Sequence, residues 1–347
     1  MAVTKKDFGK TKEGKVVSLY SIQNANGVKA EVTDFGAILV NLFVPDSKGN
    51  IADVVLGYDK VEGYFTNDSF FGATVGPSAN RIANATFTVD GHKCQLAVND
   101  GVNNLHSDEN LGYHKRLWQA TENDNSVIFE LEDADGNMGF PGNKKACVTY
   151  TLTEENELKI SYHVTSDKNT LINMTNHSYF NLAGHNAGNI LEHKMQILAS
   201  KYTPVVAGAI PTGELAAVAG TPFDFTTPEV VGARIEADNE QLHLVQGYDH
   251  NWVVDNYDGS LRKIAEVSEP TTGRSMQVYT DLPGVQFYAG NCITPQIGKG
   301  GASYGKRSGL CLETQAFPNS VNEPAFPDVI YGPERDYDTT TVYRFVW

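Results

Sequence analysis

The sequence predicts an all-β protein, a large antiparallel β-sandwich with few short helices, built as one domain over residues 1–347. Three observations predict it. Short runs with strand character follow one another along the chain, turn signals separate them, and no strand–helix–strand alternation interrupts them. No linker, charge block or internal repeat divides the chain, so one domain is the simpler reading.

The elements follow in order. Asn24-Ala25-Asn26-Gly27 joins strands at 16–22 and 28–33, its Asn-Gly end favouring a tight hairpin. A strand at 37–44 stops at Pro45-Asp46-Ser47-Lys48-Gly49-Asn50. Asp90-Gly91 joins 86–89 to 92–96 in the same way. Residues 126–131 run into a polar loop with Asp135-Gly136-Asn137, and Glu154-Glu155-Asn156 joins 146–152 to 158–165. Later strands are predicted at 251–254, 275–280, 285–289, 309–313 and 341–347. The best helical signal is Thr227-Pro228-Glu229: a cap, a proline at the first helical position and an acid near the positive helix end. Val230, Val231 and Ile235 extend it to about two turns.

Composition narrows the function classes. Hydrophobic residues make up 41% and charged residues 20%, values of a folded chain rather than a disordered one. The net charge of −15 opposes binding to nucleic acid or to an anionic membrane. No apolar run approaches the about 20 residues that span a bilayer. Residues 1–10 lack the apolar core of a signal peptide, so a cytoplasmic location is expected. Cys94, Cys147, Cys292 and Cys311 are scattered and form no CxxC pair; free buried thiols are expected. Walker, GxSxG, HExxH and EF-hand motifs are absent.

Five segments carry polar residues in unusual company. Within 72–84, Asn80-Arg81-Ile82 places a lone arginine in an uncharged stretch, which reads as a structural ion pair or as a fork for hydroxyls. Asn103-Asn104-Leu105-His106 is turn chemistry ending in a histidine. From Leu171 to Leu182 an apolar approach enters Thr175-Asn176-His177-Ser178-Tyr179-Phe180-Asn181. As a strand it would put His177, Tyr179 and Asn181 on one face, both polar and aromatic, which suits a sugar; as a loop it would be capped by Asn and Ser. Tyr248-Asp249-His250 could bond a diol or simply turn the chain. Lastly, Gly284-Val285-Gln286-Phe287-Tyr288 precedes Leu312-Glu313-Thr314-Gln315. Glu313 closing an apolar strand is either a desolvated base or an edge carboxylate in water.

Together and in order, these segments resemble the aldose 1-epimerase family, which includes galactose mutarotases, over nearly the whole chain. Residues 80–82 are similar to the family's N-R-I, 104–106 to N-L-H, 248–250 to Y-D-H, 284–288 to G-V-Q-F-Y and 312–315 to L-E-T-Q. The most specific match is 175–182 to T-N-H-S-Y-F-N-L. The resemblance implies a mutarotase-like supersandwich that interconverts the α and β anomers of a free aldohexose such as galactose or glucose. It implies Glu313 as general base, His177 as general acid, and Asn80, Arg81, His106, Asp249 and Gln286 as sugar-binding residues. No cofactor and no metal are implied, and the chain is expected as a monomer or homodimer. Pro77-Ser78 departs from the family, where many members carry Arg and then an aromatic or aliphatic residue.

Acid/base opening of a hemiacetal takes the proton from the anomeric hydroxyl and gives one to the ring oxygen. Reference values of about 4.3 for Glu and 6.5 for His leave the acid only partly protonated near neutrality. Asp249 is the carboxylate expected to raise the His177 value. Competing readings are an epimerase of phosphorylated hexoses, which needs converging Lys and Arg, a non-catalytic sugar module, and a hydrolase or lyase using Glu313 and Asp249 as a carboxylate pair.

Overall fold

Residues 2–347 are described by a computed structural model. Three large sheets organise them, and every ladder within them is antiparallel. The first runs in chain order through Thr4–Lys10, Val16–Gln23, Lys29–Thr33, Ile38–Pro45 and Ile51–Asp53. The second has nine strands; its centre is Lys144–Leu152, Glu157–Ser166, Tyr337–Val346 and Ser275–Thr280. The third orders Ala216–Ala217, Lys201–Thr203, Asp249–Val253, Gly284–Tyr288 and Cys311–Gln315.

Alternation explains the layering. In Lys144–Leu152 every second residue is buried, and its neighbour Glu157–Ser166 alternates in matching phase. Register pairs Ala146 with Val164, Val148 with Tyr162 and Tyr150 with Ile160, so one face is apolar throughout. That face packs onto the first sheet, where the Tyr20 and Phe129 rings meet edge-on at 5.9 Å. Elsewhere the nine-stranded sheet meets the third sheet, with the Tyr343 hydroxyl donating to the Leu312 carbonyl. One apolar core joins side chains of all three sheets, the arrangement of a sandwich.

The hairpins stand where turn chemistry places them. Asp90 and Gly91 both take positive φ, and the strands are Thr86–Val89 and His92–Gln95. The strand predicted from 37 begins at Ile38, because Ala37 is left-handed with φ of 47°. The predicted helix after Thr227 does not form. Glu229–Val230 pairs with Lys194 and Met195 at the sheet edge, and a single 3-10 turn, Val231–Ala233, follows. Two β-branched residues followed by Gly232 favour extension over helix. The two α-helices among the described residues are Val61–Thr66 and Glu240–Val245, the latter capped by the Asn239 side chain. No helix among the described residues is long and apolar enough to cross a membrane. The four thiols are free, yet only Cys94 and Cys311 are buried; Cys147 is half-buried and Cys292 is exposed, contrary to expectation.

Candidate active site

The edge of the third sheet presents a row of polar side chains. Asn251, Gln286 and Glu313 are cross-strand neighbours, and Asp249, Tyr288 and Cys311 form the next row. Glu313 therefore lies mid-strand rather than at a strand end. Beside it runs the short strand Thr175–His177, tied on by the Thr175 hydroxyl donating to the Thr314 carbonyl. Its other edge pairs with Ala73–Val75.

Local sequence fixes the His177 bend. The Asn176 amide donates to the Tyr150 hydroxyl and to Gly72 O, while its carbonyl oxygen accepts from Ser178 N and Oγ. Gly72 has φ of 66°, and a Cβ there would sit 2.0 Å from Leu39 O, so only glycine fits. The strand ends at His177. Tyr179 still packs on the His177 ring at 5.0 Å, but Asn181 turns away to bond Gly188 O and Ser308 O. The expected shared face thus holds for two of its three residues.

A second, opposite wall comes from the pairing of Arg81–Ile82 with Asn104–Leu105. His106 N donates to Asn80 O, and Asn80 N donates to His106 Nδ1. Since Nδ1 accepts, the neutral ring carries its proton on Nε2. Ser78 is buried and exchanges two hydrogen bonds with Ser107, bracing the turn that holds His106. The Pro77-Ser78 departure is thereby a loop support; neither residue lines the cavity.

These walls enclose a cavity of about 190 Å³. Asn80, Arg81, His106, His177, Asp249 and Glu313 line it together. Gln286 does not; it stands behind, its Nε2 donating to Asp249 Oδ1 at 2.7 Å. Other lining residues, among them Phe70 and Cys292, carried no signal in the sequence, and Tyr288 stood in the 284–288 segment with no role assigned. Phe70 packs against the rings of His106 and His114, each at 4.8 Å, and of His177 at 5.8 Å. Asp100 was also missed. It accepts from Arg81 Nε at 2.7 Å, closer than Asp249, whose Oδ2 is 3.8 Å from Arg81 Nη1. An Asn-Asp-Gly turn gives no hint of that pairing.

The electrostatics centre on one contact: His177 Nε2 lies 3.6 Å from Glu313 Oε1, with both side chains buried. Burial, reinforced by the charge on Asp249 and opposed by Arg81, raises Glu313 well above the ordinary carboxylate range. Burial lowers His177 to about 4. Asp249 does not supply the expected lift to His177, because Arg81 and Gln286 engage it. Burial also raises Asp249, against the pull of Arg81 and Gln286. Desolvation opposes the charge on Arg81, but Asp249 and Asp100 outweigh it and hold the guanidinium firmly protonated. Glu313 Oε2 has no hydrogen-bond partner.

His106, His177 and Glu313 place donor atoms within 4.8 Å of one another, close enough for a metal. The chemistry of His106 fits hydroxyls better. Metal binding at its Nε2 would require the tautomer that gives up the Asn80 N–H bond. A larger cavity of about 950 Å³ lies elsewhere, lined by charges already paired, Asp133 with Lys144 and with Arg116.

Comparison with known proteins places this geometry in a family. The aldose 1-epimerase family profile matches residues 18–344. A galactose mutarotase from Bos taurus is 42% identical over 99% of both chains. An aldose 1-epimerase from Escherichia coli (strain K12) is 38% identical over 96% of both. The crystal structure of an aldose epimerase homologue from C. elegans superposes with a TM-score of 0.87 at 30% identity, covering 95% of this chain and 99% of that one. By sequence, by fold and by the family's motifs around one cavity, this chain belongs to the aldose 1-epimerase family and is an enzyme acting on carbohydrates.

Proposed function

We propose that the protein interconverts the α and β anomers of a free aldohexose, such as galactose or glucose, by acid/base ring opening and reclosure. The observation that carries this reading is the buried Glu313–His177 contact, with one carboxylate oxygen left without a partner. A substrate hydroxyl supplies what Glu313 Oε2 lacks.

The two groups form a one-proton pair. Protonated Glu313 beside neutral His177 is a tautomer of carboxylate beside imidazolium. Burial favours the neutral tautomer. A sugar hydroxyl bonded to the carboxylate stabilises the charged one. From the charged tautomer, Glu313 takes the O1 proton while His177 Nε2 gives its proton to the ring oxygen. The ring C1–O5 bond breaks, an aldehyde forms, and the pair is left neutral. Rotation about C1–C2 presents the other carbonyl face. Reclosure then returns the O1 proton from Glu313 and the ring-oxygen proton to His177, restoring the charged pair. Each group acts twice per turnover, and each contributes about 10²–10⁴-fold. Asn80, Arg81, His106 and Asp249 hold the hydroxyls, and Gln286 orients Asp249. We also hold that the chain acts as one domain, since the nine-stranded sheet takes strands from 119 to 346.

The competing readings meet obstacles in the cavity. Arg81 is its one Lys or Arg, and two carboxylates already engage it, which disfavours a phosphosugar. Asp249 is ion-paired to Arg81 and accepts from Gln286, which disfavours it as the second member of a catalytic carboxylate pair while leaving lone pairs for a sugar hydroxyl. At about 190 Å³ the cavity is smaller than the roughly 300–1,000 Å³ of ordinary ligand clefts, which favours a single ring over an oligosaccharide. Polarimetry on freshly dissolved α-D-galactose tests the proposal. The wild type accelerates mutarotation and Glu313→Gln does not; a variant at wild-type rate removes Glu313 from the base role.

A further inference from the structure

One buried nucleophile takes no part in the proton transfers above, yet it touches the acid. Cys311 Sγ lies 3.5 Å from His177 Nδ1, on the side of the ring away from Nε2. The thiol is fully buried, and an apolar cluster that includes Leu56, Phe71, Tyr179 and Ile293 surrounds it. Its one side-chain hydrogen bond among the described residues is to His177.

We propose that Cys311 is a positioning residue for the acid step: its thiol holds the His177 ring by Nδ1, so that Nε2 faces the reacting atoms before and after proton transfer. The inference rests on His177 being the acid. A thiol suits this place because sulfur both accepts and donates weakly. Imidazolium presents Nδ1–H to the sulfur lone pair. After Nε2 has given its proton to the ring oxygen, Nδ1–H and its sulfur partner are unchanged. When Nε2 instead carries the proton of the neutral ring, S–H turns to donate to Nδ1. The thiol proton is never transferred.

Chemistry also separates sulfur from the usual partner. Histidines are commonly oriented by a carboxylate or a carbonyl, which makes the ring more basic. A weak acceptor leaves the imidazolium a stronger acid toward a ring oxygen, itself a poor base. The remaining titratable groups around the ring are Glu313 on the same strand as Cys311, His106 at 5.2 Å, Tyr179 at 5.0 Å and Tyr288 at 6.3 Å, with His114 beyond Phe70. Glu313 is the one carboxyl among them, and it faces Nε2. Burial, aided by Glu313 and Asp249, raises the Cys311 thiol well above its ordinary value, so it stays S–H.

The test compares Cys311→Ser with Cys311→Ala, which vacate nearly the same volume and differ by one hydroxyl. Any packing loss is shared, and their difference reads the hydrogen bond. We expect kcat of Cys311→Ala to fall about tenfold below that of Cys311→Ser at similar KM, the worth of one such bond. The ¹⁵N shifts of the His177 ring should remain wild-type-like in Ser and move to exchanging tautomers in Ala. Equal rates and equal His177 spectra for Ser and Ala overturn the proposal. If Ala does not fold, the Ser spectrum decides alone: a displaced His177 ring in Ser sinks it. A His177→Asn variant at wild-type rate would instead remove the acid assignment, a failure the Nδ1 spectra report separately.

Discussion

Two buried polar regions of this molecule follow opposite rules. Around Lys299 and Arg274 every charge is saturated. Lys299 Nζ donates to Val40 O, Asn41 Oδ1 and Asp53 Oδ2, and Asp53 also accepts from two backbone amides. Arg274 bonds four backbone carbonyls, those of Val44, Pro45, Leu182 and Asn50. Around Glu313 the accounts stay open: an oxygen without a partner, a neighbouring histidine stripped of its charge, and a second carboxylate nearby. Saturated groups fix the fold. The unsaturated ones are held in place by the same sheets, and in the proposed mechanism a substrate hydroxyl completes them.

Breaking each region should therefore cost a different quantity. Lys299→Met leaves Asp53 buried and unpaired, and should destabilise by about 3–5 kcal/mol in urea titration while kcat of the folded fraction is kept. His177→Asn should do the reverse: kcat down by about 10²–10⁴, by polarimetry, with an unchanged urea midpoint.

The pH profile sharpens the contrast. In the proposed mechanism, activity needs one proton on the pair. Below about pH 4 His177 gains a second proton and the base is lost, which sets the acid limb of kcat/KM. As pH rises through the elevated Glu313 value, the pair loses its proton and the acid is lost, which sets the alkaline limb. The bell should therefore be wide and reach well above the ordinary carboxylate range; a fall in rate at about pH 6.5 on the acid side would show an unburied histidine. The smallest effect concerns Arg81. Asp100→Asn removes its nearest charge partner and should raise KM several-fold, by about 1 kcal/mol, with little change in kcat.

How much of this was legible in the sequence follows from distance along the chain. Asp90-Gly91 and the other hairpins are local, and local chemistry placed them. The 227–235 segment misled because cap and proline signals were read without the opposing Val230-Val231-Gly232. The family resemblance gave roles to six of the lining residues. Asp100 could not be found, since a ladder and a turn bring it to Arg81 from 19 positions away. Gln286 was identified but misplaced: register sets it in one row with Asn251 and Glu313, and its amide reaches diagonally to Asp249 instead of into the cavity, a contact made between strands far apart in sequence. Cys311 stood in plain view beside Glu313, but its contact with His177 depends on two strands far apart in sequence.

The most direct test of an unsaturated, functionally held carboxyl is the melting temperature of Glu313→Gln against the wild type at pH 5 and pH 8. A group whose folded value is raised adds stability that disappears as pH rises through that value. The wild type should lose stability between these pH values by a route closed to the variant. Glu313→Gln should thus melt no lower than the wild type at pH 5 and higher at pH 8, with mutarotation abolished at both. A variant that melts below the wild type by the same margin at both pH values would contradict the account, because Glu313 would then belong with Lys299 and Arg274 among the residues that hold the fold.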